Sequence, residues 1–112
     1  MFEEWPLHDA IVGPFSLDIE SETCSLELEV FFGPGEAARP ARVEWQGVTG
    51  LAVGLNYEWG RAAHASVNRQ WRDGGVYVVE LQTGDEVRVT AQSARLHDPR
   101  AVEPAAAGGR RA

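Results

Sequence analysis

Apolar and polar residues alternate along much of the first half of the chain. In the segment 11–20 one set of alternate positions is polar, with Ser16, Asp18 and Glu20. The other set is apolar and comprises Ile11, Phe15, Leu17 and Ile19. A period of two predicts a strand with one buried face, so the apolar set is expected to point inward. Gly13-Pro14 interrupts the segment and indicates an edge or a bend, because proline cannot donate a ladder hydrogen bond.

A second alternating segment follows the short polar turn Ser21-Glu22-Thr23. Its predicted inward positions are Leu26, Leu28, Val30 and Phe32. Glu27 and Glu29 fall on the opposite, outward face. The two segments therefore predict a hairpin. A third short strand is predicted at residues 42–46, with Val43 and Trp45 inward.

The second half of the chain is less regular. Residues 47–60 are rich in glycine and predict a loop with at most one short strand. Residues 61–71 fit a helical stripe and a strand alike, but β-branched Val67 and the Asp73-Gly74-Gly75 turn favour the strand. Residues 76–81 are apolar on both faces at their start, which is typical of a central strand. Alternation at residues 86–91 predicts another strand.

These elements define the expected fold class. It is mainly β: an antiparallel meander of six or seven strands that forms a curled sheet, small barrel or sandwich, with little or no helix. A chain of 112 residues has single-domain length. We expect one β domain over residues 1–98 and a disordered tail over residues 99–112, which lack hydrophobic periodicity.

Charge narrows the class of partner. The net charge is −7, all ten basic residues are arginine, and nine acids precede the first of them, Arg39. Nucleic acids and anionic membranes need a positive footprint, so neither is an expected partner. A basic protein is the partner that this charge favours.

Compartment signals point to the cytoplasm. The single cysteine, Cys24, cannot form an intramolecular disulfide. The first residues contain neither the basic segment nor the apolar segment of a secretory signal. No apolar run approaches the ~20 residues of a membrane span. We expect a bacterial cytoplasmic protein.

The acidic hairpin is the first candidate binding surface. Asp18, Glu20, Glu27 and Glu29 are predicted on one side of two adjacent strands, where like charges repel. One interpretation is a solvated face neutralised by Arg42 and Arg88 from neighbouring strands. The other is a docking surface for a basic protein.

A second candidate surface lies in the predicted loop. Tyr57 and Trp59 flank Glu58, and such aromatic residues dominate many binding interfaces. The alternative is that this loop folds over the core and buries both rings.

No catalytic, metal or cofactor motif is present, so an enzyme is not expected. The triplets Leu7-His8-Asp9 and Leu96-His97-Asp98 lack the spacing of metal ligands. Acidic neighbours of Cys24 raise a thiol pKa, whereas a reactive cysteine needs a lowered one. We therefore predict no catalytic residue, no metal and no cofactor.

The order of features resembles that of small bacterial immunity-type proteins of polymorphic toxin systems and related uncharacterised families. It is carried by Leu7-His8-Asp9-Ala10, by the Val43-x-Trp45-x-Gly47-Val48 segment, and by Tyr77-Val78-Val79-Glu80-Leu81 before a Gly-Asp turn. The resemblance spans residues 7–98. It implies a cytoplasmic inhibitor that binds and blocks a basic toxin, and it assigns no interface residue.

Two other functions stay open. A small β domain could hold an apolar ligand in a cavity beneath Trp45, Trp71 and Tyr77. A structural module could self-associate as a homodimer through an exposed edge near Gly13-Pro14 or Phe31.

Overall fold

The computed structural model describes residues 2–54 and 66–98. A single 3₁₀ turn, Phe2–Glu4, comes before eight strands in these ranges. The strands are β1 (Ile11–Asp18), β2 (Thr23–Val30), β3 (Arg39–Gln46), β4 (Gly50–Gly54), β5 (Val67–Asp73), β6 (Val76–Leu81), β7 (Glu86–Thr90) and β8 (Ser93–His97).

The strands form two antiparallel sheets of four. Their orders are β1-β2-β3-β8 and β4-β7-β6-β5. The predicted fold class, mainly β with antiparallel pairing, is confirmed, and the architecture is a pair of packed sheets rather than a barrel. Consecutive strands are neighbours within β1-β2-β3 and within β5-β6-β7, as in a meander. Strand β4 instead pairs with β7 in the second sheet, and β8 pairs with β3 in the first.

The predicted count of six or seven strands was too low, because β8 was not predicted. This strand has only Ala94 and Leu96 as partly buried apolar positions. One of the two is small, so the alternation is too weak to stand out in the sequence.

The two sheets are joined at a corner where β3 continues into β4 and β7 into β8. Gln92 N–H donates to the Gln46 carbonyl at 3.0 Å, and Thr49 N–H donates to the Thr90 carbonyl at 2.8 Å. Gly47 has φ +67°, and a Cβ there would lie 2.7 Å from the Gln92 side chain. Only glycine fits both requirements. The corner carries β4 to the edge of the second sheet.

The core lies between the inward faces of the two sheets. Five of the predicted inward residues of the second and third strands are buried: Leu26, Leu28, Val30, Val43 and Trp45. The sixth, Phe32, lies beyond the end of β2 and is only partly buried. Strand β6 lies inside its sheet, as predicted, and buries Tyr77, Val78, Val79 and Leu81.

Residues 67–73 form a strand, which confirms that part of the ambiguous segment; residues 61–65 lie outside the described residues. The register between β5 and β6 shifts between Val67 and Arg69. Val67 is consequently buried in the core, whereas Trp71 pairs with Val78 on the outer face.

Strand β1 departs from the sequence prediction. Ile11, Leu17 and Ile19 were expected inward but are 40%, 47% and 79% exposed. Strand β1 is an edge strand, and its register shifts at Gly13-Pro14. The shift places Ile11 opposite outward Glu29, while Ile19 lies beyond the end of the strand. Leu17 pairs with buried Cys24 and faces inward, but it lies at the open edge of the sandwich.

Candidate functional site

The predicted acidic residues fall into two groups rather than one cluster. Asp18 ends β1 opposite Thr23, and Glu20 lies in the turn that follows. Glu27 and Glu29 are exposed on the outward face of β2. Glu27 is four residues along β2 from Thr23, or about 13 Å at the rise of a strand. The hairpin therefore has acids at its tip and a second acidic pair farther along.

The two arginines proposed to neutralise these acids occupy different sheets. Arg42 lies directly opposite Glu27 in the first sheet. Arg88 lies in the second sheet, where it contacts Glu86 at 3.0 Å. The expectation that Arg88 lies on a strand neighbouring the acidic hairpin was wrong, because β7 belongs to the other sheet.

In the part of the chain that the structure describes, most carboxylates outside the hairpin are paired, whereas four carboxylates of the hairpin form no ion pair. Ion pairs join the following acids and bases: Glu36–Arg39, Glu80–Arg69 and Glu86–Arg88. The Glu44 carboxylate is hydrogen-bonded to the His97 ring at 3.0 Å. Hydrogen bonds from Arg69 and Asn68 hold the pKa of Glu80 below its usual range. Within residues 2–54 and 66–98, no ion pair involves the hairpin acids Glu20, Glu22, Glu27 and Glu29.

The hairpin tip combines two of these acids, Glu20 and Glu22, with exposed apolar side chains. We define it as Leu17, Asp18, Ile19, Glu20 and Glu22. Oδ1 of Asp18 accepts the N–H groups of Glu20 at 3.1 Å and Ser21 at 3.3 Å, which fixes the turn. Glu22 has φ +57°, an uncommon conformation for a residue with a side chain. The turn thus presents apolar and acidic groups side by side.

A groove runs from the hairpin tip to the corner between the sheets. We call it the acidic groove; its volume is about 410 Å³. Leu17 and Ile19 form one wall, Val48 and Leu51 form the other, and Asp18 and Glu22 supply carboxylates. Such a groove suits a side chain with an apolar stem and a cationic end, as in arginine or lysine.

A second opening lies farther along β1. We call it the apolar cleft; its volume is about 310 Å³. Val12 and Phe15 of β1 face Val53 and Val87 of the second sheet, with Leu26 and Leu81 also lining the cleft. The Gly13-Pro14 register shift forms part of its wall. Both openings therefore lie between the edge strands β1 and β4.

The aromatic residues were predicted to form a contact surface in a loop and to cover a ligand cavity. Tyr57, Glu58 and Trp59 lie outside the described residues. The proposed cavity beneath Trp45, Trp71 and Tyr77 was placed wrongly. Trp45 is fully buried and Tyr77 contacts the Phe2 ring, whereas Trp71 lies on the outer face of the second sheet.

Both Leu-His-Asp triplets make structural contacts. His8 Nδ1 donates to a backbone carbonyl at 2.7 Å, and the Asp9 carboxylate accepts from an amide at 2.6 Å. His97 and Asp98 contact charged side chains at 3.0 and 2.7 Å. The partners are, in that order, Asn68, Gln82, Glu44 and Arg39. In the described part of the chain, no group of three or more potential ligands is placed to hold a metal ion.

Burial raises the pKa of the Cys24 thiol to about 11. The thiol is therefore protonated at pH 8, and its side chain is 2% exposed. We expect iodoacetamide to label Cys24 at least 100-fold more slowly in the native protein than in 6 M guanidinium, as followed by intact-mass spectrometry. Equal labelling rates in the two conditions would contradict this burial.

Sequence reasoning missed the apolar part of the hairpin tip. Leu17 and Ile19 were assigned to the core because alternation alone cannot distinguish an edge strand from a covered one. Gly13-Pro14 was the available signal for an edge. Val48 and Leu51 could not be placed opposite them, since their position depends on the corner between the sheets.

Comparisons with known proteins support the fold and do not identify a family. No family model and no curated protein matches the chain. A crystal structure of an uncharacterized protein from Neisseria gonorrhoeae is similar, with a TM-score of 0.57 and 7% sequence identity. The match covers 81% of this chain and 92% of that chain. At this identity the likeness concerns the fold alone.

A membrane-spanning helix is not found in residues 2–54 and 66–98: no helix there is long and apolar enough.

Proposed function

We propose that this chain is a non-enzymatic protein-binding domain that docks a basic protein segment at the hairpin tip and the acidic groove. The observation that carries the proposal is the position of Glu20 and Glu22, which form no ion pair in the described part of the chain, beside exposed Leu17 and Ile19. Residues 11–30 contain five acids and no basic residue. An apolar centre with an acidic rim is complementary to a segment that mixes apolar and basic side chains.

Electrostatic attraction would mainly raise the rate at which the partner associates with the domain. Uncompensated carboxylates attract a basic partner over a distance of about 8 Å at physiological ionic strength, and salt screens that attraction. The exposed apolar groups would then supply short-range contact after encounter. This division of roles predicts that added salt slows association more than it speeds dissociation.

Within this class of partner, we propose a basic toxin domain. The resemblance to immunity-type proteins motivates this choice, and the acidic surface is compatible with it. Inhibition would be steric: the bound domain would cover a basic surface that the toxin needs for its own target.

Selection from a random peptide library tests the binding function. The full chain, immobilised at one end, is presented with displayed 12-residue peptides at 50 mM and 500 mM NaCl. We expect enrichment of peptides that contain at least two Arg or Lys together with an apolar residue, at low salt only. Enrichment of neutral or acidic peptides, or no enrichment over a blank surface, would contradict the proposed function.

The apolar cleft supports a second candidate function, the binding of a small apolar ligand. Its volume lies at the lower end of the range for ligand pockets. Titration with 1-decanol, observed by NMR, tests this candidate. Saturable shifts at Phe15, Val53 and Val87 at micromolar decanol would support it, whereas shifts only at millimolar concentrations would argue against it.

A further inference from the structure

We propose that the partner segment binds in extended conformation, as an added strand along the edge of β1 that faces away from β2. It carries an apolar anchor and a basic anchor four residues apart. This inference rests on the proposed function and specifies its mode of recognition and the spacing of the partner's anchor residues.

The backbone of β1 has one edge that faces away from β2. Among the described residues, β1 pairs with β2 on one side, and on its other side it makes only an isolated bridge from Ile11 to Ser66. Edge strands with unpaired N–H and C=O groups accept an added strand. Pro14 has no N–H, so the pairing is expected mainly at residues 15–18.

The inward side chains of β1 are only partly covered. Phe15 and Leu17 pair with Leu26 and Cys24, which are both buried, and so belong to the inward face. Leu17 nevertheless remains 47% exposed. Its exposure marks a position at the edge of the sandwich that one more strand would cover. Alternate side chains of that strand would enter the space between β1 and β4.

The two openings fix the anchors. The apolar cleft lies beside Phe15, and the acidic groove lies beside Ile19. Phe15 lies in β1 and Ile19 in the turn that follows it, so these four positions span at most about 13 Å, the length of four extended residues. Side chains four positions apart on an added strand point to the same face, so one can enter the apolar cleft while the other enters the acidic groove. The cleft takes an aliphatic side chain; the groove, with Asp18 and Glu22, takes Arg or Lys.

Two synthetic peptides of identical composition test the spacing. The first, acetyl-Thr-Leu-Thr-Thr-Thr-Arg-Thr-amide, places Leu and Arg on the same face of a strand. The second, acetyl-Thr-Leu-Thr-Thr-Arg-Thr-Thr-amide, places them on opposite faces. Each is also made with Leu and Arg exchanged, because the added strand can run in either direction. Dissociation constants are measured by NMR titration of the full chain.

We expect the peptides with four-residue spacing, in at least one direction, to bind at least fivefold more tightly than their three-residue counterparts. We also expect slower hydrogen exchange at the alternate amides of residues 15–18 that point away from β2. The variant Ile19→Ser, at a site 79% exposed, should remove the preference without unfolding the domain.

Equal affinities for both spacings would overturn this inference. If the library selection still enriched basic peptides, the binding function would stand and only the strand geometry would fail. Unchanged exchange at residues 15–18 in a saturated complex would also overturn it, because a partner that docks only through side chains leaves those amides unprotected.

Discussion

Replacing Trp45 by alanine is expected to destabilise the domain by about 3–5 kcal/mol, the range for removal of a fully buried large aromatic side chain. Trp45 is completely buried on β3, between Cys24 of β2 and Ala94 of β8. The free energy of unfolding of a small domain is about 5–15 kcal/mol, so this loss is a large part of the total stability. Urea denaturation followed by circular dichroism measures it.

Two variants control for the size and position of the ring. Trp45→Phe keeps an aromatic ring in the core and should cost about 1–2 kcal/mol, so it remains measurable if Trp45→Ala does not fold. Trp71→Ala removes a partly exposed ring that has the Arg69 guanidinium 4.6 Å from its centroid. It should cost less than about 2 kcal/mol. Equal losses for the two alanine variants would contradict the placement of Trp45 in the core.

Reversing two charges at the hairpin tip is expected to weaken binding of a basic peptide about 30-fold. The double variant Glu20→Arg and Glu22→Arg keeps Asp18, whose carboxylate fixes the turn. Each exposed charge reversal removes an attraction and adds a repulsion, about 1 kcal/mol per site, and 2 kcal/mol corresponds to roughly 30-fold in affinity. Surface plasmon resonance at 50 mM NaCl should show most of this loss in the association rate.

A matched double variant separates local from global charge. Asp73→Arg with Glu36→Arg produces the same change in net charge on exposed positions outside the hairpin. We expect less than a threefold loss of affinity for this control. If both double variants weaken binding equally, the partner responds to total charge and the hairpin tip is not the docking surface.

The sequence alone was sufficient to predict the strands whose hydrophobic pattern reflects burial against a neighbouring layer. Residues 24–30 of β2 alternate between the core and more exposed positions. In β6, Tyr77, Val78, Val79 and Leu81 are buried because the strand lies between two neighbours. Their hydrophobic pattern follows from burial, and burial could therefore be inferred from it. Strand β8 has no such pattern, since its neighbour β3 supplies most of the buried apolar surface of that pair.

The candidate site could be predicted only in part, because it depends on contacts between distant segments. Asp18 and Glu20 were identified from local charge. The exposure of Leu17 depends on the edge position of β1, and the groove exists only because the Gly47 corner brings Val48 and Leu51 to the hairpin. Neither the open edge nor the corner geometry can be derived from the period of the pattern.

The most direct test of the account is to map the bound peptide on the domain. The uniformly ¹⁵N-labelled full chain is titrated with the basic peptide most enriched in the selection, and amide shifts are assigned residue by residue. We predict that the largest shifts fall on residues 15–22 and on Val48–Leu51, the two sides of the acidic groove. Shifts confined to the outer face of the second sheet, around Arg69, Trp71 and Arg88, would contradict the central claim.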